Sequence, residues 1–152
     1  MAKVFVHSLK YEGQKALGRR MGETLARKTV LPEGIDYLLP VPLHRSSERP
    51  YNQALEIARG ISSIRGWSVM DALEWNIDGK RQVEKTAEER KNLPEGALLF
   101  SGKQGSLKGK RVLLVDDVST TGTTLRRCVE AIKYSGAGVL GAVVWTRVPD
   151  RK

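Results

Sequence analysis

One segment constrains this chain more than any other: Val112-Leu-Leu-Val-Asp-Asp-Val-Ser-Thr-Thr-Gly-Thr-Thr124. Val112 to Val115 is a continuous apolar run, as a strand buried on both faces of a parallel sheet requires. Leu125, Cys128, Val129 and Ile132 then recur at helical spacing, Gly136 stands where a C-terminal cap belongs, and Val139 to Trp145 reads again as a strand. The order is strand, loop, helix, strand. In an open α/β sheet, ligands bind beyond the carboxyl ends of the strands, which is where Asp116 and Asp117 are expected.

The rest of the chain agrees with an α/β fold built on a mostly parallel central sheet. A length of 152 residues suits one domain. Residues 14–28 read as a basic helix with Leu17, Met21 and Leu25 on its apolar face, and Asp36 to Val41 as a strand. Pro42 to Pro50 forms the loop at that strand's carboxyl end. Asn52 opens a helix whose Ala54, Ala58 and Ile61 share a face. Trp67 to Leu73 reads as a second strand and Gly96 to Phe100 as a short one. Between them, residues 76–95 are polar and charged, with Lys80, Arg81, Lys85, Arg90 and Lys91 and a capping box at Thr86 and Glu89, and are expected to form a mobile loop.

Composition narrows the setting. No apolar run approaches the roughly 20 residues of a membrane span and no signal peptide is evident, so a cytoplasmic protein without membrane contact is expected. Cys128 is the single cysteine, and His7 and His44 lack partners at metal-ligand spacing, which argues against structural zinc. The formal net charge is +9, and residues 1–30 hold seven Lys and Arg against two Glu. Such an excess favours anionic partners, although a solvated basic surface explains it equally well.

The chemistry of the central segment is more specific. Ser119-Thr-Thr-Gly-Thr-Thr124 supplies hydroxyl donors, a glycine free to adopt positive φ, and successive backbone N–H groups leading into a helix. With two carboxylates just before it, the segment suits a ligand with vicinal hydroxyls or a metal at one end and a phosphate at the other: a sugar phosphate. A lesser reading has Asp117 and Thr120 merely cap the helix. The hydrolase reading of an apolar run ending in Asp-Asp fails, because no Gly-x-x-x-x-Gly-Lys-[Ser/Thr] precedes it.

These thirteen residues resemble the phosphoribosyl pyrophosphate (PRPP) binding motif of type I phosphoribosyltransferases. More narrowly, His7-Ser-Leu-Lys-Tyr-Glu-Gly13, Pro40-Val-Pro-Leu-His-Arg45, Arg49-Pro-Tyr-Asn-Gln-Ala54, Arg81-Gln82 and Glu89-Arg-Lys-Asn-Leu93 resemble, in order, the ComF branch of that superfamily. The resemblance covers nearly the whole chain. It implies a type I phosphoribosyltransferase fold with a small hood: one domain over 1–152, with 1–30 as partial hood and first helix and 36–147 as core. Two departures stand out. The four-cysteine zinc module common at the N-terminus of the branch is absent, as in a short or trimmed member. Arg49-Pro-Tyr-Asn-Gln53 replaces the usual Arg-Gly-Phe-Asn-Gln, stiffening that loop.

By the same resemblance, Asp116 and Asp117 hold the ribose hydroxyls and an associated Mg2+. Ser119, Thr120, Thr121, Gly122, Thr123 and Thr124 hold the 5′-phosphate, and Leu43, His44, Arg45 and Arg49 hold pyrophosphate. Asp116, Asp117 and Arg90, with Lys91 as an alternative cation, are the catalytic candidates for phosphoribosyl transfer to a nitrogen acceptor. His44 as a general base is the lesser reading of that residue. Of the tryptophans, Trp145 is expected in the core, leaving Trp75 as the better stacking residue. The alternative function is a non-catalytic PRPP-binding accessory in DNA uptake, partnered by single-stranded DNA or a competence or helicase protein. A homodimer stays open.

Overall fold

The computed structural model describes residues 2–44, 46–76 and 93–149. Its main sheet has four parallel strands in the order β2-β1-β5-β6: β1 Tyr37–Pro40, β2 Ser68–Val69, β5 Arg111–Ser119 and β6 Gly138–Arg147. A separate antiparallel pair joins β3 Leu73–Trp75 to β4 Leu98–Phe100. The helices are α1 Ala2–Lys28, α2 Gln53–Arg65 and α3 Thr123–Lys133.

Alternation along β5 builds two cores, one on each face of the sheet. Leu113 and Val115 join Leu38, Ile57, Ala58 and Ile61 on the α2 face. Val112 and Leu114 join Leu39, Cys128, Ala131 and Ile132 on the α3 face, where the β3–β4 pair contributes Leu73 and Leu98. A strand covered on both sides needs no polar alternation, which is why Val112 to Val115 is uniformly apolar.

On the outer side of α2, α1 packs backbone to backbone. A Cβ built on Gly60 would stand 2.0 Å from the Arg19 carbonyl oxygen, and one on Gly22 would stand 2.0 Å from that of Ile57. The buried stripe of α1 is therefore Gly18, Gly22 and Ala26, one position on from the expected Leu17, Met21 and Leu25. Met21 and Leu25 pack at its edge and Leu17 is exposed. Glu56 of α2, 2% exposed, fastens the same interface by accepting from Arg19 Nε at 2.9 Å and Arg59 Nη1 at 2.7 Å.

Four further readings are corrected. The Trp67 to Leu73 strand is two short strands in different sheets: Met70 N–H still donates to Leu38 O, after which the exposed Asp71 turns the chain toward β4. The strand expected over Val112 to Val115 continues to Ser119, because β6 stays paired with it through Ser119↔Arg147. The α3 C-cap is Tyr134, with Gly136 two residues beyond at φ 80°. Trp145 is 42% exposed, since β6 is an edge strand. The expected loop falls almost wholly on residues 77–92, outside the described residues, as do Arg45, Arg90 and Lys91.

Candidate active site

The carboxyl ends of β1 and β5 are adjacent, and the two loops that leave them converge. Leu39↔Leu114 and Pro40↔Val115 are register partners, and Val41 N–H extends the ladder to Val115 O. The β1 loop then turns into α2 under the control of Asn52. Its Oδ1 caps the helix by accepting from Ala54 N–H at 3.1 Å, and its Nδ2 donates to Val41 O at 2.9 Å. Asn52→Ala removes both bonds and should cost about 2 kcal/mol. A thermal melt should register this as a loss of roughly 4–8 °C.

Between these loops lies a cavity of about 310 Å³ lined by Leu43, His44, Arg49, Asp116, Asp117 and Thr124, among others. Six of the expected ligand residues thus meet, although His44 and Asp117 are 73 positions apart in the chain. Ser119 to Thr124 curl around a smaller adjoining hollow of about 50 Å³ that also touches Asp116. Gly122, at φ 76°, is the N-cap of α3 and supplies no side-chain cap bond. Neither Asp117 nor Thr120 caps that helix, so the capping reading of these residues fails. Thr121 and Thr123 hydroxyls hydrogen-bond to each other at 2.9 Å.

Because they are consecutive on β5, the two acids face opposite ways. Asp116 turns to the α3 face, where burial of Cys128 pushes its thiol up to about 12 and the Asp116 charge adds to that rise. Asp117 turns to the α2 face and accepts from Arg49 Nη1 at 2.9 Å. Burial raises the Asp116 carboxyl to about 7; its hydrogen bond from Asp117 N–H opposes that rise, and the Asp117 charge adds to it. Between the ordinary carboxylate range and about pH 7, the folded protein keeps a proton that the unfolded chain has released. Stability therefore falls as pH rises through that window and levels off above it. In magnesium-free buffer, Asp116→Asn should abolish this slope. The variant should melt above the parent at pH 8, by on the order of 3 kcal/mol in stability, and the gap should close near pH 4.

His44 belongs to the loop's own framework. Its Nδ1 accepts from Ser46 N–H at 3.2 Å and meets the Ser46 hydroxyl, and its ring stands edge-on to Trp75 at 4.9 Å. An engaged Nδ1 argues against a general base. Trp75 is itself fixed, its indole N–H donating to Pro42 O at 3.3 Å. Among the described residues no three His, Cys, Asp or Glu side chains could jointly hold a metal. Two carboxylates at the cavity's edge instead suit a hard cation that keeps most of its waters and shares a polyphosphate ligand. Residues missed from sequence include Asn52, as loop tether, and Gln14, Leu17 and Met21, which line a groove of about 360 Å³ running up to Asp117 and Trp145. The alternation of β5 and β6 could have placed Trp145 beside Asp117; nothing in the sequence could have brought α1 there.

Comparison with known proteins agrees with this geometry. Hypoxanthine/guanine phosphoribosyltransferase of Methanohalophilus mahii is 31% identical over 120 residues, covering 76% of this chain and 59% of that protein. Competence protein ComFC of Streptococcus pneumoniae is 26% identical over 137 residues, covering 89% and 58% respectively, in line with the ComF resemblance. The chain thus spans less than two thirds of either relative. In fold it matches the allosteric regulatory enzyme of purine biosynthesis, with a TM-score of 0.59 at 24% identity over 87% of this chain and 26% of that one. Residues 61–152 match the family described as phosphoribosyl transferase domain, and with a type I phosphoribosyltransferase fold around the cavity, the chain belongs to that family.

Proposed function

We propose that this protein binds PRPP with magnesium and transfers its phosphoribosyl group to a nitrogen acceptor, releasing pyrophosphate. The observation that carries the reading is the single cavity shared by the β1 loop and the β5 acids, with the hydroxyl-rich turn opening beside it. In this reading Asp116 and Asp117 accept hydrogen bonds from the ribose hydroxyls. Ser119 to Thr124 bind the 5′-phosphate through hydroxyls and backbone N–H groups, aided by the positive end of α3. Arg49 exchanges its Asp117 partner for pyrophosphate, joined by Leu43 and His44 of the loop. Arg45 and Arg90 take cationic roles on the leaving group on the strength of the sequence resemblance. Magnesium, held by Asp116 and Asp117 together with pyrophosphate oxygens, would offset charge on the leaving group.

Calorimetric titration of PRPP with and without magnesium tests the reading directly. Magnesium-dependent binding supports it, and absence of binding in both conditions overturns it.

A second reading, a PRPP-binding accessory with little catalysis, is favoured by similarity to competence protein ComFC and by the net charge of +9. It predicts salt-dependent affinity for single-stranded DNA and no pyrophosphate release with any base or amine. No helix among the described residues is long and apolar enough to cross a membrane, consistent with either reading.

A further inference from the structure

Trp75 belongs to the second sheet, yet it lines the same cavity as Asp116 and Asp117. It reaches the cavity from a firm base. Its register partner on β4, Leu98, is buried, and the indole packs against the α3-face core that holds Leu73 and Leu98. One residue on, Asn76 N–H donates to Ala97 O at 3.0 Å and Asn76 Nδ2 donates to Gly96 O at 3.0 Å, so this end of the strand stays pinned to its neighbour. The β1 loop opposite is softer: Glu48, Arg49 and Pro50 are exposed, and Pro42 has no N–H with which to extend the ladder. Where a rooted side chain grips an open loop, the loop takes its position from the side chain.

Two contacts make the grip. The indole N–H donates to Pro42 O at 3.3 Å, and the Trp75 and His44 rings meet in a T shape, with centroids 4.9 Å apart and planes at 75°. The first contact reaches beyond its own atoms. The Pro42–Leu43 peptide is planar and trans, so its carbonyl oxygen and the Leu43 N–H point opposite ways. Holding Pro42 O on the indole therefore fixes the direction of the Leu43 N–H, on a residue that lines the cavity. The second contact acts on the turn that follows, because His44 Nδ1 accepts from Ser46 N–H and a ring held against Trp75 holds that turn with it. Asn52 ties Val41 O from the α2 side, and Trp75 ties Pro42 and His44 from the α3 side. We propose that Trp75 is the positioning residue of this loop, setting the direction of the Leu43 N–H and the place of His44 for the pyrophosphate end of PRPP.

This rests on the PRPP reading, in which the β1 loop binds pyrophosphate. The consequence is a split between the two ends of the ligand. Trp75 stands on the loop side of the cavity and does not border the hollow formed by Ser119 to Thr124. Ribose 5-phosphate, which is PRPP without its pyrophosphate, should therefore not sense the loss of the indole. A side chain that served stability alone would weaken both ligands alike or neither.

Calorimetry in the presence of magnesium compares PRPP with ribose 5-phosphate on the parent protein, Trp75→Phe and Trp75→Leu. Phenylalanine keeps an aromatic ring beside His44 and loses the N–H; leucine loses both. PRPP affinity should fall roughly 3- to 10-fold in Trp75→Phe, as one lost hydrogen bond implies, and further in Trp75→Leu, while ribose 5-phosphate affinity stays within about twofold in both. In 15N-labelled parent protein, one of the three indole N–H signals, identified by its absence from Trp75→Phe, should shift when PRPP binds. Equal losses for the two ligands, unchanged PRPP affinity in Trp75→Leu, or an indole signal unmoved by saturating PRPP would overturn the assignment while leaving PRPP binding intact. Failure of PRPP to bind the parent protein would overturn the reading beneath it, and the assignment with it.

Discussion

Magnesium-dependent PRPP affinity is expected to drop at least 100-fold in the Asp116→Asn/Asp117→Asn variant, measured by calorimetry. Each carboxylate that accepts from a ribose hydroxyl makes a charge-assisted bond worth about 1.5–3 kcal/mol, and every 1.4 kcal/mol is tenfold in affinity. Asparagine keeps the shape of both side chains while removing their charge and turning one acceptor oxygen of each into an amide N–H donor. The Asp116 substitution also relieves a buried carboxylate, so a misfolded variant is not the expected cause of lost binding. A control separates recognition from simple repulsion. Without magnesium, inorganic pyrophosphate should bind the variant no more weakly than the parent, because two negative charges have left the cavity's edge and Arg49 has lost its carboxylate partner. Unchanged PRPP affinity in the variant would remove the acids from the site.

The second large effect concerns the scaffold. Gly60→Ala is expected to cost about 3 kcal/mol or more, because its Cβ would stand 2.0 Å from the Arg19 carbonyl oxygen and neither backbone can yield cheaply. In a domain of this size that is a fall of roughly 6–12 °C in Tm. Gly22→Ala should behave alike, its Cβ meeting the Ile57 carbonyl oxygen from the other side. Gly13→Ala, on the same helix with open space around it, should leave Tm unchanged or raise it slightly. Equal melting of all three variants would mean that α1 and α2 do not pack this closely in solution. The groove beside Asp117 depends on the same contact, since α1 carries Leu17 and Met21 to it.

Local rules reached far in this chain. Four apolar residues, two acids and a run of hydroxyls around one glycine are consecutive, so strand, hydroxyl-rich turn and helix were legible from spacing alone. The Asn52 helix start followed from a loop between prolines at a strand end, and the cavity membership of Leu43, His44 and Arg49 from the family resemblance. What remained hidden depended on partners remote in sequence. How far β5 runs was decided by β6, which keeps hydrogen-bonding to it through Ser119. Trp67 to Leu73 split because its last residue found β4 instead of the main sheet. Leu17 and Trp145 look like core residues to any periodicity argument, yet both stay exposed: α1 turns its glycine stripe, not its leucine, toward α2, and β6 lies at a sheet edge. Sequence determined the local elements and the chemistry of the motif, because those are set by neighbours within a few residues. The tertiary structure alone decided what each acid meets, the Ser119 to Thr124 turn beside Asp116 and the Trp145 groove beside Asp117, because that depends on what packs on each side of the sheet.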